Sequence, residues 1–304
     1  MQKKLIFILL AMFVFVGCSD LTLSEEIEIY FVNHENYEIV VFIDDSNLQS
    51  PNGMAFDGVY VYIADTEHND VFIYDVLGNY VGRMSNNNLE FSNPIAIAIS
   101  PVDGSIFVAE ETTGRIQKIQ SGAHVRDFFI DGIRYISDIE VDGNQNLYVS
   151  VFDFVESNMK IHVFDNQGER MEIGQRQLGV LGRGQNNEIL FAQTFEVIDE
   201  DTIGSGANFF AQIVDNELIK ITDLPDRYTP SAIFSRNNRI YLFSHGMHQL
   251  DVFDFDGNYI ETIYENVPTS ANRGMFYVIA FGSDSFLITD NERGIVYKIR
   301  PMER

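Results

Sequence analysis

Tryptophan is absent from these 304 residues, and cysteine occurs only once. A lone cysteine excludes an intramolecular disulfide. The missing indoles remove the strongest aromatic platform for stacking, although 14 Tyr and 25 Phe could substitute. Basic residues are scarce, with 20 Lys and Arg against 45 Asp and Glu and a net charge of −25. Phosphate backbones are bound through lysine and arginine, and no compact basic patch stands out, so nucleic acid is excluded as a partner. No Gly-x-Ser-x-Gly elbow for a serine nucleophile is present. Past the first twenty residues, no stretch carries a long helical period.

The first residues read as an export signal, with Lys3 and Lys4, an apolar stretch from Leu5 to Val16, then Gly17-Cys18. That stretch is too short to cross a bilayer as a helix, which takes about 20 residues. Cleavage before Cys18 would leave 18 basic residues against 45 acidic, a charge of −27. Phe15-Val16-Gly17-Cys18 resembles a bacterial lipobox, with Phe15 in the place usually held by Leu. The resemblance implies a diacylglyceryl group on Cys18 and a chain held to the cell-envelope membrane by that lipid. Ser19 after the cysteine favours the outer membrane under the enterobacterial sorting rule. The expected organisation is a signal at 1–17, a short tether at 18–28 and one folded unit at 29–304. With the only thiol at the lipid position, thiol catalysis is excluded.

Three stretches match one another: Tyr74-Asp75-Val76-Leu77-Gly78-Asn79-Tyr80, Phe164-Asp165-Asn166-Gln167-Gly168-Glu169 and Phe253-Asp254-Phe255-Asp256-Gly257-Asn258-Tyr259. Their starts lie 90 and 89 residues apart, twice a period of about 45, which signals a propeller or another repeat array. Each unit reads as short strands joined by tight turns. Met54-Ala55-Phe56 leads through Asp57-Gly58 into Val59–Ile63, and Pro94–Ile99 leads through Asp103-Gly104 into Ile106–Ala109. Aspartate-glycine between β-branched runs is a hairpin signal, because glycine takes the positive φ that the turn needs. Asp254 to Asn258 superficially resembles a calcium loop, but the matching Asp75 to Asn79 lacks the second acid, so it reads as a hairpin turn.

First-and-second-strand pairs number six, near Met54, Ile95, Ile136, Ile189, Ile233 and Phe276. Third strands number seven, because Ile29-Tyr30-Phe31 precedes the first full unit, and Asn36-Tyr37 echoes Asn79-Tyr80. The amino-terminal segment is therefore the tail of a repeat whose beginning stands at the carboxyl end. The expected fold is all-β, a six-bladed β-propeller closed by an N-terminal strand joining the C-terminal blade. Closure removes the unpaired edges of an open sheet. One unit is irregular, with spacing stretched between Phe164 and Ile221 and compressed from there to Phe253. The extra length is placed in a linker from Gly174 to Asn187, whose Gly179, Gly182 and Gly184 lack the context of a dinucleotide site.

Ser50–Asp57 followed by Val61–Asp65 and Val71–Asp75 resembles an NHL repeat, as do Asn93–Ala96 with Val108–Glu110 and Arg115-Ile116. Leu287–Asp290 with Gly294–Tyr297 resembles it more faintly. The resemblance implies a propeller over residues 29 to 300. It leaves activity open, since NHL-type propellers include RNA binders, an amidating lyase, kinase sensor domains and bacterial lipoproteins. The lyase uses histidines from separate blades with arginine and tyrosine, for which His68, His245 and Arg273 are available.

In a propeller, the loops entering each first strand and those joining second to third strands share one face. The second set supplies Asp65, Glu67, Glu110, Glu111, Asp153, Glu156, Asp290 and Glu292, with Asn208, His245 and His248 from the other blades. Carboxylates from several blades around one axial mouth would suit Ca²⁺, which takes six to eight oxygen ligands. Against that, Asp65 and Asp290 hold positions where aspartate caps its own turn. His245 and His248 stand three apart in a strand-to-strand turn rather than on a helix, so they are not expected to share a face.

Two functions follow. One is a non-enzymatic binding or scaffold module at the envelope, whose acidic axial face takes a protein, peptide or cationic ligand. The other is a calcium-dependent propeller hydrolase or lyase resembling lactonases or the amidating lyase.

Overall fold

The computed structural model describes residues 36–86, 88–130, 135–153, 158–173, 177–199, 202–204, 208–226, 228–265, 267 and 277–302. At 153, 158, 196–199 and 202–204 only the backbone is described. Cys18, the signal, the tether, Ile29–Phe31, Glu156, Arg273 and Phe276 lie outside these residues.

Alternation of apolar and polar residues between glycine and aspartate turns produces short antiparallel strands, and they assemble into six sheets. Blade I is β2 (Pro51–Phe56), β3 (Tyr60–Asp65), β4 (Asp70–Asp75) and β5 (Tyr80–Arg83). Blade II is β6 (Pro94–Ile99), β7 (Ile106–Glu110), β8 (Arg115–Gln120) and β9 (Ala123–Phe129). Blade III is β10 (Tyr135–Val141), β11 (Leu147–Asp153), β12 (Asn158–Phe164) and β13 (Arg170–Ile173). Blade IV is β14 (Gln177–Arg183), β15 (Ile189–Asp199), β17 (Phe209–Val214) and β18 (Glu217–Asp223), with β16 (Thr202–Gly204) paired to the far end of β15. Blade V is β19 (Pro230–Arg236), β20 (Arg239–Ser244), β21 (Gln249–Phe253) and β22 (Tyr259–Tyr264). Blade VI is β23 (Val278–Phe281), β24 (Ser285–Asp290) and β25 (Ile295–Pro301), completed by β1 (Tyr37–Asp44).

The first strand of each blade packs beside the first strand of the next, and β23 returns to β2, so the ring is closed. The closing strand is the one the Asn36-Tyr37 echo pointed to. β1 runs antiparallel to β25 from Tyr37 opposite Pro301 to Asp44 opposite Ile295. It buries Ile39 and Ile43 and pairs Glu38 with Arg300 at 2.8 Å. Rings fill the seams between blades: Phe128 meets Phe164 at 5.3 Å, Phe210 meets Phe253 at 5.3 Å and Phe56 meets Phe281 at 4.8 Å. Such pairs add directional attraction to the area they bury.

The repeated aspartate motif is a turn, as its spacing indicated. Asp75 Oδ1 accepts from the amides of Leu77 and Asn79 at 2.8 and 2.9 Å, and Asp254 Oδ1 accepts from those of Asp256 and Asn258 at 3.0 and 2.8 Å. The bonds from Asn79 and Asn258 hold both carboxyls below the usual range.

The fourth blade departs from expectation. Gln177–Arg183 is not a linker but the inner strand β14, and Ile189 begins a second strand rather than a first. Ile213, opposite Ile189 in the ladder, occupies the third-strand place that the spacing gave to Ile221, which lies in the outer strand β18. The extra length sits in the β15–β16 extension. The glycines of β14 are there for closeness. A Cβ on Gly182 would run into the carbonyl of Ile233 on the neighbouring inner strand, and one on Gly179 into that of Ala192.

Candidate axial site

Four second strands, β3, β7, β20 and β24, end on Asp65, Glu110, Ser244 and Asp290, and all four residues are fully buried. Burial obliges each polar side chain to find partners, and they find them nearby. Asp65 accepts from the amides of Gln49, Ser50 and His68 at 2.7, 3.3 and 3.1 Å. Asp290 accepts from the amide of Arg293 at 3.2 Å. Glu110 accepts from Thr113 at 2.7 Å, Gln117 at 2.8 Å and Arg115 Nε at 3.0 Å. The Ser244 hydroxyl receives the amides of Thr229 and Met247. These side chains tie the turn to its own blade or to the segment entering it.

The remaining expected residues divide. Glu67 and Glu292 are exposed. Asn208 is buried, donating to the carbonyls of Tyr228 at 2.6 Å and Thr194 at 3.3 Å, which fastens blade IV to the approach of blade V. His68 stands 3.2 Å from Asp65 and edge-on to Phe72. His245 and His248 do come together, with ring centroids 5.7 Å apart, because positive φ at His248 folds the turn back. Among the described residues, no group of three or more His, Cys, Asp or Glu side chains is placed to hold a metal ion. Asp65, Glu110 and Asp290 use their carboxylates for the hydrogen bonds of their own turns, and the side chains of Asp153 and Glu156 lie outside the described residues.

Among the described residues, two cavities lie along the axis. The upper, of about 180 Å³, lies where the inner strands begin; its wall includes Tyr135, Leu178, Phe195, Pro230, His245 and Tyr277. The lower, of about 210 Å³, lies among the later residues of all six inner strands, including Phe56, Ile99, Glu140, Arg183, Ser235 and Ala280. Tyr277 and Ser231 border both. Tyr277 stands just before β23 in blade VI, and its hydroxyl donates at 2.9 Å to the carbonyl of Ser137 in blade III, on the opposite side of the ring. That carbonyl belongs to a bulge, since the β10–β11 register shifts between Ile136 and Asp138. The ring of Tyr277 thus forms a partition across the channel.

Along this column the proton affinities of His245 and Asp138 are altered, as is that of Glu111 nearby, beside the raised phenols of Tyr135 and Tyr277. Burial, and then the nearby His248, lower the affinity of His245, so its imidazole is neutral at pH 7. Burial raises Glu111, which Tyr135 and Tyr277 both feel electrostatically. Below the partition, burial pushes the Asp138 carboxyl up to about 8, against the pull of the amides of Leu181 at 2.9 Å and Ile139 at 2.8 Å.

Of the expected site residues whose side chains are described, only His245 lines the upper cavity, and Glu111 lies near it. Sequence reasoning missed Tyr135, Ser137, Ser231 and Tyr277. A signal existed for the serines, each a polar residue interrupting an apolar first-strand run at a bulge.

No family model matches the chain, and no curated protein sequence does. Solved structures do share its fold. The gluconolactonase XC5397 of Xanthomonas campestris aligns with a TM-score of 0.64 at 12% identity, covering 88% of this chain and 90% of that one. The PQQ-bound aldose sugar dehydrogenase of Streptomyces coelicolor gives 0.61 at 12% identity, over 88% and 98%. Virginiamycin B lyase from Staphylococcus aureus gives 0.57 at 14% identity, over 88% and 99%. At these identities the likeness defines the fold class, a six-bladed propeller.

Proposed function

We propose that the chain is a propeller enzyme of the hydrolase or lyase kind, acting on a compact and mainly apolar substrate in the upper axial cavity. This reading takes the place of a purely non-enzymatic scaffold, because the similar structures include a lactonase, a lyase and a dehydrogenase. One observation carries it: a half-buried imidazole, neutral at pH 7, in the wall of a largely apolar cavity on the axis. A general base must be unprotonated at working pH and within reach of the proton it removes. His245 would take a proton from water or from a carbon acid. Tyr135, whose phenol burial keeps protonated, would face the oxygen on which charge develops. A cavity of about 180 Å³ accepts a ring-sized group, since about 150 Å³ suffices for benzene.

The test is turnover of a panel of chromogenic esters, aromatic lactones and β-elimination substrates. His245→Ala should lower kcat/KM by 100-fold or more, within the range that general bases contribute. Undiminished turnover in that variant, or none in the native protein, would sink the assignment, and the binding-module reading would then lead. We further propose an NHL-type envelope lipoprotein held through Cys18, with the acidic surface turned to an envelope protein or peptide. Cys18→Ser should move the chain from the membrane fraction to the soluble one.

A further inference from the structure

The lower cavity has a different chemistry from the upper. At its rim Arg183 Nη2 donates to Glu140 Oε1 at 3.0 Å and to the carbonyl of Ile99 at 2.9 Å, linking blades II, III and IV. Neither residue is fully covered, the side chains being 27% and 15% exposed. Nη1 of Arg183 and Oε2 of Glu140 are left without a partner among the described residues. A guanidinium donor thus stands beside a carboxylate acceptor. That pair matches a vicinal diol, in which one hydroxyl donates to the carboxylate while its neighbour accepts from the guanidinium.

Other groups extend the match. The hydroxyls of Ser231 and Ser235 at the wall have no partner among the described residues, a state that costs free energy unless something satisfies them. A serine hydroxyl reaches a new direction by one staggered step of χ1. Asp138 sits deeper, is protonated at neutral pH, and so adds a donor rather than a charge. Half-buried Phe56 and Phe234 offer apolar contact for C–H groups. The ion pair cancels its own charge, so a cation or an anion entering would meet an opposing partner. The volume of about 210 Å³ exceeds the roughly 150 Å³ of a cavity that takes benzene, which leaves room for a six-membered ring with hydroxyls.

We propose that the lower axial cavity is a second ligand site, separate from the His245 cavity, and that it binds a neutral polyol of monosaccharide size through Arg183 and Glu140.

The test is saturation-transfer-difference NMR on the whole protein, with myo-inositol and D-glucose as probes. Transfer to at least one probe is expected, with affinity falling tenfold or more in Glu140→Gln and in Arg183→Gln, and unchanged in His245→Ala. Two variants are used so that one that misfolds does not decide the outcome, and the thermal melt of each is recorded. Transfer to neither probe overturns the proposal. So does transfer that survives both rim substitutions, or transfer abolished by His245→Ala, which would put the ligand in the upper cavity.

Discussion

The phenol of Tyr277 crosses the channel axis to donate to the carbonyl of Ser137, joining blade VI to blade III at 2.9 Å. The bulge at Ser137 takes its carbonyl out of the regular ladder, so the tyrosine supplies what strand pairing does not. Tyr277→Phe keeps the ring and removes the donor. The expected cost is about 1–3 kcal/mol, that of a buried acceptor left unsatisfied. Urea denaturation of the two proteins checks it.

Asp138 gives stability an unusual pH dependence. Its carboxyl titrates near 8 when folded, against about 3.9 in an unfolded chain. Between those values the folded state holds a proton that the unfolded state has released. The contribution is therefore fully present below about pH 4 and is lost as pH rises through about 8. Asp138→Asn cannot titrate, and its amide can accept from only one of the two backbone N–H groups. The variant should be less stable than the native protein at pH 5, with the deficit shrinking by on the order of 1 kcal/mol per pH unit toward pH 8. Denaturation curves at pH 5, 6.5 and 8 give the trend; a constant deficit would refute it.

His245 predicts the acid limb of catalysis. Its affinity for protons is lowered by burial and by His248, so the active neutral form persists below the ordinary histidine value of about 6.5. Activity on any substrate identified should fall with acid below that value. His248→Ala removes the neighbour that helps lower the proton affinity of His245, and should move the limb toward higher pH. A limb that stays in place would show that His248 does not influence the base.

Gly182 tests how tightly the inner strands are packed. Alanine there would press on the Ile233 carbonyl, and backbone cannot swing aside as a flexible side chain can. The expected loss is about 1–3 kcal/mol, typical of overpacking. Gly82, which has open space around its Cβ position, is the control, and Gly82→Ala should be neutral or slightly stabilising. Thermal melts of both variants settle the comparison.

Arg115 answers for Glu110. The carboxylate is fully buried and the guanidinium is its main charge partner. Arg115→Met should cost about 3 kcal/mol, because it strands a buried charge. Glu110→Gln with Arg115→Met should recover part of that loss.

The architecture was legible in the sequence because its signals are local and recur. Asp75, Asp165 and Asp254 announce the same turn three times, and Asn36-Tyr37 marks the strand that closes the ring. Blade IV was misread for a physical reason. Gly179 and Gly182 are strand residues chosen for close approach, yet glycine in a short run carries the same mark as a loop. The site was less legible still. Asp65, Glu110 and Asp290 invite a metal reading because they recur on one face, but their position is one of complete burial, and recurrence there serves the turn. Tyr277 could not be found from spacing, since its partner lies 140 residues away in the chain and is a backbone carbonyl.

The clasp formed by β1 and β25 also has a consequence in time. Strand Tyr37–Asp44 leaves the ribosome long before its partner Ile295–Pro301 exists, and Glu38 and Arg300 are separated by 262 residues. Pairing at such separation must pay loop-closure entropy before any contact repays it. Throughout that interval the first five blades can form, each from neighbouring sequence, while blade VI waits. The first of the described strands is thus the last to be housed, and until β1 and β25 meet each keeps an unpaired edge that their antiparallel ladder then covers.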